Sequence, residues 1–229
     1  MSDKRKKLKV GAVIFDLDGT LIDSIDIYFT IVEKALERLN LPPVSRNKIL
    51  AAAESVDFNW ELILPQEALG RKDKIIDKAW GVINEIAPRM FEDQMELIQG
   101  ADTIVENLSS NGLKIGLVTS SQKQYLEIKM QPLKQAGVEE LFEVIITTDD
   151  VLKRKPAPDP LITCAQQLDM RPGNCVYVGD TATDIKAGKA AGMKTIGVLT
   201  GFDDHAILEK EKPDAIMKSV RNLLEVIDV

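Results

Sequence analysis

The alternation of short apolar runs with amphipathic helical segments is the feature that most constrains the fold of this chain. The predicted strands, of which the last is the weakest, are Val10–Phe15, Leu113–Val118, Val144–Thr147, Cys175–Val178, Thr195–Leu199 and Ala215–Met217. The predicted helices between and after them are Ala101–Ser110, Gln124–Gln135, Pro160–Leu168, Ile185–Ala191 and Ser219–Ile227. Because strand and helix alternate, we expect an α/β fold with a doubly wound, mostly parallel, Rossmann-like sheet.

One long interval, residues 22–93, interrupts this alternation. It contains helical patterns separated by Pro42-Pro43, Pro65 and Pro88, of which Asp26–Leu39 is the clearest. We therefore predict an all-helical cap domain over residues 22–93. It is inserted after the first strand and is expected to cover the ligand crevice at the carboxyl ends of the strands. Residues 1–21 and 94–229 are predicted to form the catalytic core.

Charge and composition exclude several classes of partner. The chain has 29 Lys and Arg residues against 36 Asp and Glu, which gives a net charge of -7 and disfavours nucleic acid and anionic membranes as partners. The basic start is followed by no apolar stretch of signal-peptide or membrane-spanning length. Cys164 and Cys175 are predicted to be free, buried thiols. These features predict a cytoplasmic protein that binds neither nucleic acid nor a membrane, and they leave its oligomeric state open.

The residues that end the strands are the candidate site, because ligands of such sheets bind at the carboxyl ends of the strands. The strongest signal is Asp16-Leu17-Asp18-Gly19-Thr20, directly after the first strand. Carboxylates at i and i+2 of an extended chain point to the same side, and glycine permits the sharp turn that follows. One carboxylate could attack an electrophile while the other moves a proton, although an acidic turn is the alternative.

Two further strand ends carry groups that could bind a phosphoryl oxygen. Thr119 and Ser120 end the second strand of the core. Their hydroxyl and backbone N–H groups could hold an anion. Alternatively, these residues could be the N-cap of the next helix. Lys155 lies in a basic segment directly before Pro156, which restricts it to extended conformations. The proline alone does not decide which basic residue of that segment points inward.

A last pair of acids follows the strand Cys175–Val178. Asp180 comes at the end of this strand, and Asp184 opens the next helix, where it could also be an N-terminal cap or dipole partner. Carboxylates here, facing those of the first strand, would form the oxygen-rich site that Mg²⁺ prefers. The sequence thus places carboxylates, a hydroxyl and a lysine at successive strand ends of one sheet.

With these four motifs in this order, the chain resembles the haloacid dehalogenase-like hydrolase superfamily. The resemblance is to phosphatases with a small helical cap, such as phosphoglycolate phosphatases, and to the β-phosphoglucomutase-like group. It covers the whole core and the position of the cap, but little of the cap's sequence. It implies a Mg²⁺-dependent phosphatase that forms an aspartyl-phosphate intermediate on a small phosphate monoester.

The resemblance also implies a role for each motif residue. Asp16 is similar to the nucleophile, and Asp18 to the general acid that later activates water. Thr119, with the Ser120 backbone beside it, resembles the phosphate-binding residue, and Lys155 the lysine that neutralises the nucleophile and the phosphoryl oxygens. The Mg²⁺ ligands implied are the Asp16 and Asp180 carboxylates, the Asp18 main-chain carbonyl and, directly or through water, Asp184.

Other activities remain as alternatives. Dehalogenases of the superfamily lack the second acid, Asp18, which disfavours carbon–halogen hydrolysis. Related phosphomutases carry a histidine where this chain has Tyr28, ten residues beyond Asp18, and the single histidine, His205, is predicted to lie in a surface loop. A non-enzymatic phospho-acceptor domain would lack both the helical insertion and the acids Asp180 and Asp184. A phosphatase is therefore favoured.

The substrate should be selected by the cap. Candidate groups for a carboxylate or a second phosphate are Arg46, Asn59, Trp60, Arg71, Lys72, Lys74 and Arg89. Phosphoglycolate is the preferred candidate substrate. A sugar phosphate, a nucleoside monophosphate and pyrophosphate are the alternatives.

Overall fold

A computed structural model describes residues 7–53 and 58–229 of the chain. The described residues divide into two compact units. The larger unit consists of the residues up to Asp23 together with Glu96–Val229, and the smaller unit is Ser24–Met95.

A six-stranded sheet forms the centre of the larger unit. The strands found in the described residues are β1 Leu8–Lys9, β2 Ala12–Phe15, β3 Ile22–Asp23, β4 Glu96–Leu97, β5 Lys114–Val118, β6 Phe142–Ile146, β7 Cys175–Gly179, β8 Lys194–Val198, β9 Ala215–Met217 and β10 Ile227–Asp228. The main sheet has the order β6-β5-β2-β7-β8-β9, and all its neighbouring strands run parallel. The predicted α/β fold is confirmed, and so are all six predicted strands, including the weakest.

The strand order reverses at β2. This strand lies between β5 and β7, and its four residues are fully buried, as expected for a central strand covered on both faces. Ligands of such sheets bind beyond the carboxyl ends of the strands at the point of reversal. Since Asp16 is the residue directly after β2, the fold places it at that point.

The helices follow from the spacing of their apolar residues. They are α1 Ile25–Arg38, α2 Arg46–Ala53, α3 Lys72–Gln94, α4 Ala101–Ser110, α5 Lys123–Gln135, α6 Asp159–Gln167, α7 Ala182–Ala190 and α8 His205–Lys210. In α4 the buried residues Ala101, Ile104, Val105 and Leu108 recur at the i, i+3, i+4, i+7 spacing of one helical face. Among the described helices, not one has both the length and the apolar character that a bilayer crossing requires.

Two predictions near the carboxyl terminus are wrong. The predicted helix Ser219–Ile227 is a short 3-10 helix, Val220–Glu225, followed by β10, which pairs with β1 at the other end of the chain. That distant partner competes with helix formation and is invisible to local periodicity. His205 begins the short helix α8 instead of lying in a loop, because the Asp204 side chain accepts a hydrogen bond from the Ile207 N–H at 2.9 Å.

The smaller unit contains α1, α2 and α3 with two 3-10 helices, Trp60–Leu62 and Gln66–Arg71. Its described residues, 24–53 and 58–95, contain no strand. Pro88 does not separate two helices as predicted, because it lies inside α3. Proline in a helix removes one backbone hydrogen bond, and burial of neighbouring residues such as Ala87 and Phe91 offsets that cost here. Ile22 and Asp23, at the start of the predicted cap, form β3 in the larger unit.

Both cysteines are free and buried, as predicted. Cys164 packs in the core of the larger unit with residues of the central strands. Burial raises the pKa of Cys164 to about 12 and that of Cys175 to about 11, so both stay protonated and unreactive at neutral pH.

Candidate active site

The register of the sheet brings the three predicted strand ends together. Phe15, the last residue of β2, aligns with Leu117 of β5 on one side and with Val178 of β7 on the other. The Asp16 N–H then donates to the Val178 carbonyl at 2.8 Å, which continues the ladder for one more residue. The residues that follow the three strands therefore lie at one edge of the sheet, as the sequence predicted.

Lys155 forms the centre of a buried polar cluster. Its Nζ donates to Asp16 Oδ1 at 2.6 Å, to Asp184 Oδ1 at 2.7 Å and to the Tyr177 hydroxyl at 2.9 Å. All four residues are buried. A buried ammonium needs such a set of acceptors, because an unpaired charge in the interior is strongly destabilising.

The structure also decides which basic residue of its segment points inward. Lys153 and Arg154 are exposed, whereas Lys155 is 6% exposed. The sequence had left this choice open.

Asp184 takes part in the N-terminal cap of α7, one of the two roles that the sequence allowed, and its role at a metal site stays a prediction. Its Oδ2 accepts hydrogen bonds from the Thr181 backbone N–H at 3.0 Å and from the Thr181 hydroxyl at 2.6 Å. Thr181 Oγ1 in turn accepts the Asp184 N–H at 3.2 Å, which completes a capping box at the start of α7. The other oxygen, Oδ1, holds Lys155. Asp184 thus caps the helix and orients the buried lysine at the same time.

Asp180 is held by the loop that follows β8 and by the turn after β2. Its Oδ2 accepts the Phe202 N–H at 2.8 Å, and Thr20 Oγ1 lies 3.5 Å from its Oδ1. Gly19 has φ +72°, and a Cβ there would come within 2.6 Å of Asp180 Oδ2. Glycine at position 19 is required both for the left-handed turn and for this close approach.

Three carboxylates form a group that fits a divalent cation. Asp16, Asp180 and Asp184 are buried, and each offers an oxygen within 4.8 Å of the others. With Lys155 among them, these ionised groups would carry a formal excess of two negative charges, which one divalent cation balances. Oxygen donors of this kind suit Mg²⁺.

The pKa values of the clustered groups also indicate that the site favours additional positive charge. Burial raises the pKa of Asp16 from 3.8 to about 7; Lys155 lowers it, and Asp184 raises it further. Burial, with the charges of Asp184 and Asp16, raises the pKa of Asp180 well above 3.8. Burial lowers the pKa of Lys155, but its ion pairs outweigh this and hold the value well above 10.5. Asp16 therefore tends to retain its proton near neutral pH unless additional positive charge keeps it ionised, and the pKa of Asp180 is shifted in the same direction.

Asp18 has a separate set of partners that the sequence reasoning missed. Lys129 of α5 places its Nζ 2.7 Å from Asp18 Oδ1 and 2.8 Å from Oδ2. The Ser121 hydroxyl donates to Asp18 Oδ2 at 2.8 Å. The available signal was a lysine in α5 directly before the apolar Met130, a position that turns out to be buried.

Tyr177 is a third residue of the site that the sequence did not reveal, after Lys129 and Ser121. It lies in an apolar run that the sequence identified only as a core strand, yet its hydroxyl contacts Lys155 and lies 3.1 Å from both Val118 O and Asp184 Oδ1. A tyrosine in a fully buried strand needs a partner for its hydroxyl, and that requirement was the signal.

Thr119 is buried at the edge of the site, and its Oγ1 accepts the Ser121 N–H at 3.0 Å. This bond orients the hydroxyl group, which can still donate to a ligand. Ser120 is exposed.

Several of the predicted substrate-selecting residues are engaged within the helical unit. Arg46 pairs with Asp26 at 2.6 Å, Lys72 with Glu61 at 2.5 Å and Arg89 with Asp93 at 3.7 Å. Trp60 is buried, Asn59 accepts the Glu61 N–H at 3.2 Å, and Arg71 and Lys74 are exposed. Their part in substrate selection stays a prediction.

The family model described as haloacid dehalogenase-like hydrolase matches residues 13–198, which include all four motifs. The chain belongs to this family. The predicted family is confirmed, and with it an enzyme of the hydrolase class in place of a non-enzymatic phospho-acceptor domain.

Two curated relatives and one solved structure are similar over nearly the whole chain. A phosphoglycolate phosphatase of Escherichia coli (strain K12) is 29% identical over 95% of this chain and 92% of the relative. A pyrophosphatase PpaX of Bacillus mycoides is 31% identical over 96% of this chain and 98% of the relative. A structure from Haemophilus somnus, described as a predicted phosphoglycolate phosphatase, superposes with a TM-score of 0.80 at 20% identity, covering 96% of this chain and 98% of that one. The last likeness shows the fold.

Proposed function

We propose that this hydrolase is a Mg²⁺-dependent phosphatase that cleaves a small phosphate monoester through an aspartyl-phosphate intermediate. The observation that carries the proposal is the position of Asp16, which lies at the end of the central strand with Lys155 at 2.6 Å and two further buried carboxylates close by. The names of the two curated relatives support phosphate chemistry.

In the first step Asp16 attacks phosphorus, and the bond from phosphorus to the leaving oxygen breaks. Asp18 gives its proton to that oxygen, which takes the electron pair of the broken bond. Lys155 and the Thr119 hydroxyl stabilise the charge on the phosphoryl oxygens. In the second step Asp18 accepts a proton from water, whose oxygen attacks the phosphorus of the aspartyl phosphate, and phosphate leaves from Asp16.

The residues that would hold Mg²⁺ are Asp16 and Asp180 by their carboxylates and Asp18 by its main-chain carbonyl. The bound ion would neutralise charge on the phosphoryl group. Among the described residues, each carboxylate oxygen of Asp184 already has two hydrogen-bond partners, Lys155 and Tyr177 at Oδ1 and the Thr181 N–H and hydroxyl at Oδ2, whereas each oxygen of Asp180 has one. We therefore propose that Asp184 contacts the ion through water.

We expect Asp180→Asn to weaken Mg²⁺ binding by at least about tenfold, since it removes one charged ligand while its amide oxygen can still accept the Phe202 N–H. The measurement is the rise in melting temperature on titration with Mg²⁺, which reports binding without activity. Asp214→Asn is the matched control, because Asp214 accepts the Thr195 N–H at 2.8 Å but is not one of the three grouped carboxylates. An unchanged Mg²⁺ titration of Asp180→Asn would move the metal site elsewhere.

The same titration has an expected pH dependence in the wild type. Protons compete with the cation for carboxylates whose folded-state pKa is raised, so the Mg²⁺-dependent stabilisation should grow from about pH 5 to about pH 8. Asp16, with a pKa of about 7, titrates within this window. A stabilisation independent of pH would contradict binding at these carboxylates.

The proposal is tested by phosphate release from phosphoglycolate, sugar phosphates, nucleoside monophosphates and pyrophosphate, with Mg²⁺ and with a chelator. We expect release that requires Mg²⁺ and is much faster for one class. We propose that the helical unit, Ser24–Met95, acts as the cap that selects this class. Interconversion of sugar phosphate isomers without phosphate release would replace the proposal with a mutase, and inactivity in both assays would overturn it.

A further inference from the structure

The two carboxylates of the first motif each have a lysine of their own. Asp16 is bound by Lys155, which precedes α6, whereas Asp18 is bound by Lys129, which lies on α5. The two acids are only two residues apart, but their ammonium partners come from different segments of the chain.

Lys129, Ser121 and Asp18 form a closed triangle of hydrogen bonds. The Lys129 ammonium lies 2.7 and 2.8 Å from the two Asp18 oxygens, and it donates to Ser121 Oγ at 2.9 Å. Ser121 Oγ donates to Asp18 Oδ2 at 2.8 Å. Contacts to both oxygens fix the plane of the Asp18 carboxylate as well as its position.

Burial of the Lys129–Asp18 ion pair carries a desolvation cost, which suggests that the pair has a role other than stability. The Lys129 side chain is 11% exposed and that of Asp18 is 23% exposed. Lys129 lies on the buried side of α5 with Met130 and Leu133, where an apolar residue would pack without the desolvation cost of a charge. An ion pair in such a place adds little stability but does define geometry.

We infer that Lys129 and Ser121 are positioning residues that hold the Asp18 carboxyl group through Oδ2, the oxygen they both contact, so that a proton carried on Oδ1 is delivered to the leaving oxygen. This inference rests on the proposed function, in which Asp18 is the general acid. It adds that the acid is aligned through α5 and not by its own loop alone. Neither residue needs to touch the substrate.

The leaving group separates positioning from a structural role. A strongly basic alkoxide must be protonated as its bond to phosphorus breaks, whereas p-nitrophenolate leaves without a proton. The ratio kcat/KM reports the steps up to phosphoryl transfer to Asp16, so it isolates the step in which Asp18 acts as the acid. A misplaced Asp18 should therefore slow alkyl phosphates selectively.

The experiment compares wild type, Lys129→Met and Lys129→Arg on p-nitrophenyl phosphate, glycerol 2-phosphate and phosphoglycolate. We expect Lys129→Met to lower kcat/KM for both alkyl phosphates about 10- to 100-fold and that for p-nitrophenyl phosphate less than about threefold. Lys129→Arg should recover part of the loss, and Ser121→Ala should show a weaker form of the same pattern. Lys134→Met, at an exposed position of α5, is the control expected to match wild type.

Each other outcome contradicts the inference in a different way. Equal losses on all three substrates, or none, would make the triangle a structural ion pair. A loss confined to phosphoglycolate and seen mainly in KM would make Lys129 a binding group for the substrate carboxylate. A wild-type protein that hydrolyses neither these substrates nor any compound of the wider panel above would overturn the proposed function itself. Melting temperatures of all variants identify any that fail to fold.

Discussion

Asp16→Asn is expected to lower phosphate release by at least about 10³-fold, because an amide cannot form the acyl phosphate on which both steps depend. Acid quenching during turnover should trap a phosphoenzyme in the wild type and none in the variant. We expect the fold to survive, since asparagine has nearly the same shape and its amide oxygen can still accept the bond from Lys155.

The stability of this variant gives a second readout. Burial raises the pKa of Asp16 to about 7. In the metal-free protein at higher pH, ionisation of Asp16 therefore lowers the free energy of unfolding. The neutral amide removes that cost, and Asp16→Asn should melt no lower than wild type at pH 8 with a chelator present. Asp228→Asn, a half-exposed position in β10, controls for the loss of one carboxylate. If Asp16→Asn retained activity, Asp16 would not be the nucleophile.

Lys155→Met should cost about 3–5 kcal/mol in the free energy of unfolding near pH 8, because it leaves the buried carboxylates of Asp16 and Asp184 without their ammonium. Chemical denaturation in a metal-free buffer measures this loss. Phosphate release should fall as well, since the charge that balances the phosphoryl oxygens is gone. Lys153→Met, an exposed change two residues away, is expected to behave as wild type.

The deficit of Lys155→Met should shrink as the pH falls. The folded-state pKa of Asp16 is raised even with Lys155 present, and removal of the lysine raises it further. From the unfolded pKa of 3.8 up to about pH 7, Asp16 keeps its proton in both folded proteins, so both lose stability alike as the pH rises. Above about pH 7 wild type releases this proton and its loss levels off, whereas the variant, with its higher folded-state pKa, continues to lose stability. Wild type and variant should therefore differ least near about pH 5 and most above about pH 8. A deficit that does not change with pH would show that lost packing, not unpaired charge, causes it.

The interpretation of the sequence succeeded where the signal is local. The strand ends carrying Asp16, Thr119 and Asp180 were predictable because a short apolar run followed by polar residues marks a buried parallel strand. Alternation of strands and helices then implies that these ends share one edge of the sheet. The predicted helix Ser219–Ile227 and the break at Pro88 failed because strand pairing with β1 and packing within α3 override local preference.

The partners of the acids were not predictable in the same way. Lys129 lies 111 residues from Asp18, and no spacing along the chain relates the two. Tyr177 belongs to an apolar run whose core role hides its hydroxyl, and the choice of Lys155 over Lys153 depends on which side chain the folded loop buries.

The sequence by itself determined the fold class, the family and the carboxylates at the strand ends, because hydrophobic periodicity and motif spacing are properties of neighbouring residues. Only the tertiary structure decided which lysine serves which acid, because hydrogen bonds between distant segments form once the sheet and its helices are packed. Lys155 on Asp16 and Lys129 on Asp18 are the clearest result of that packing.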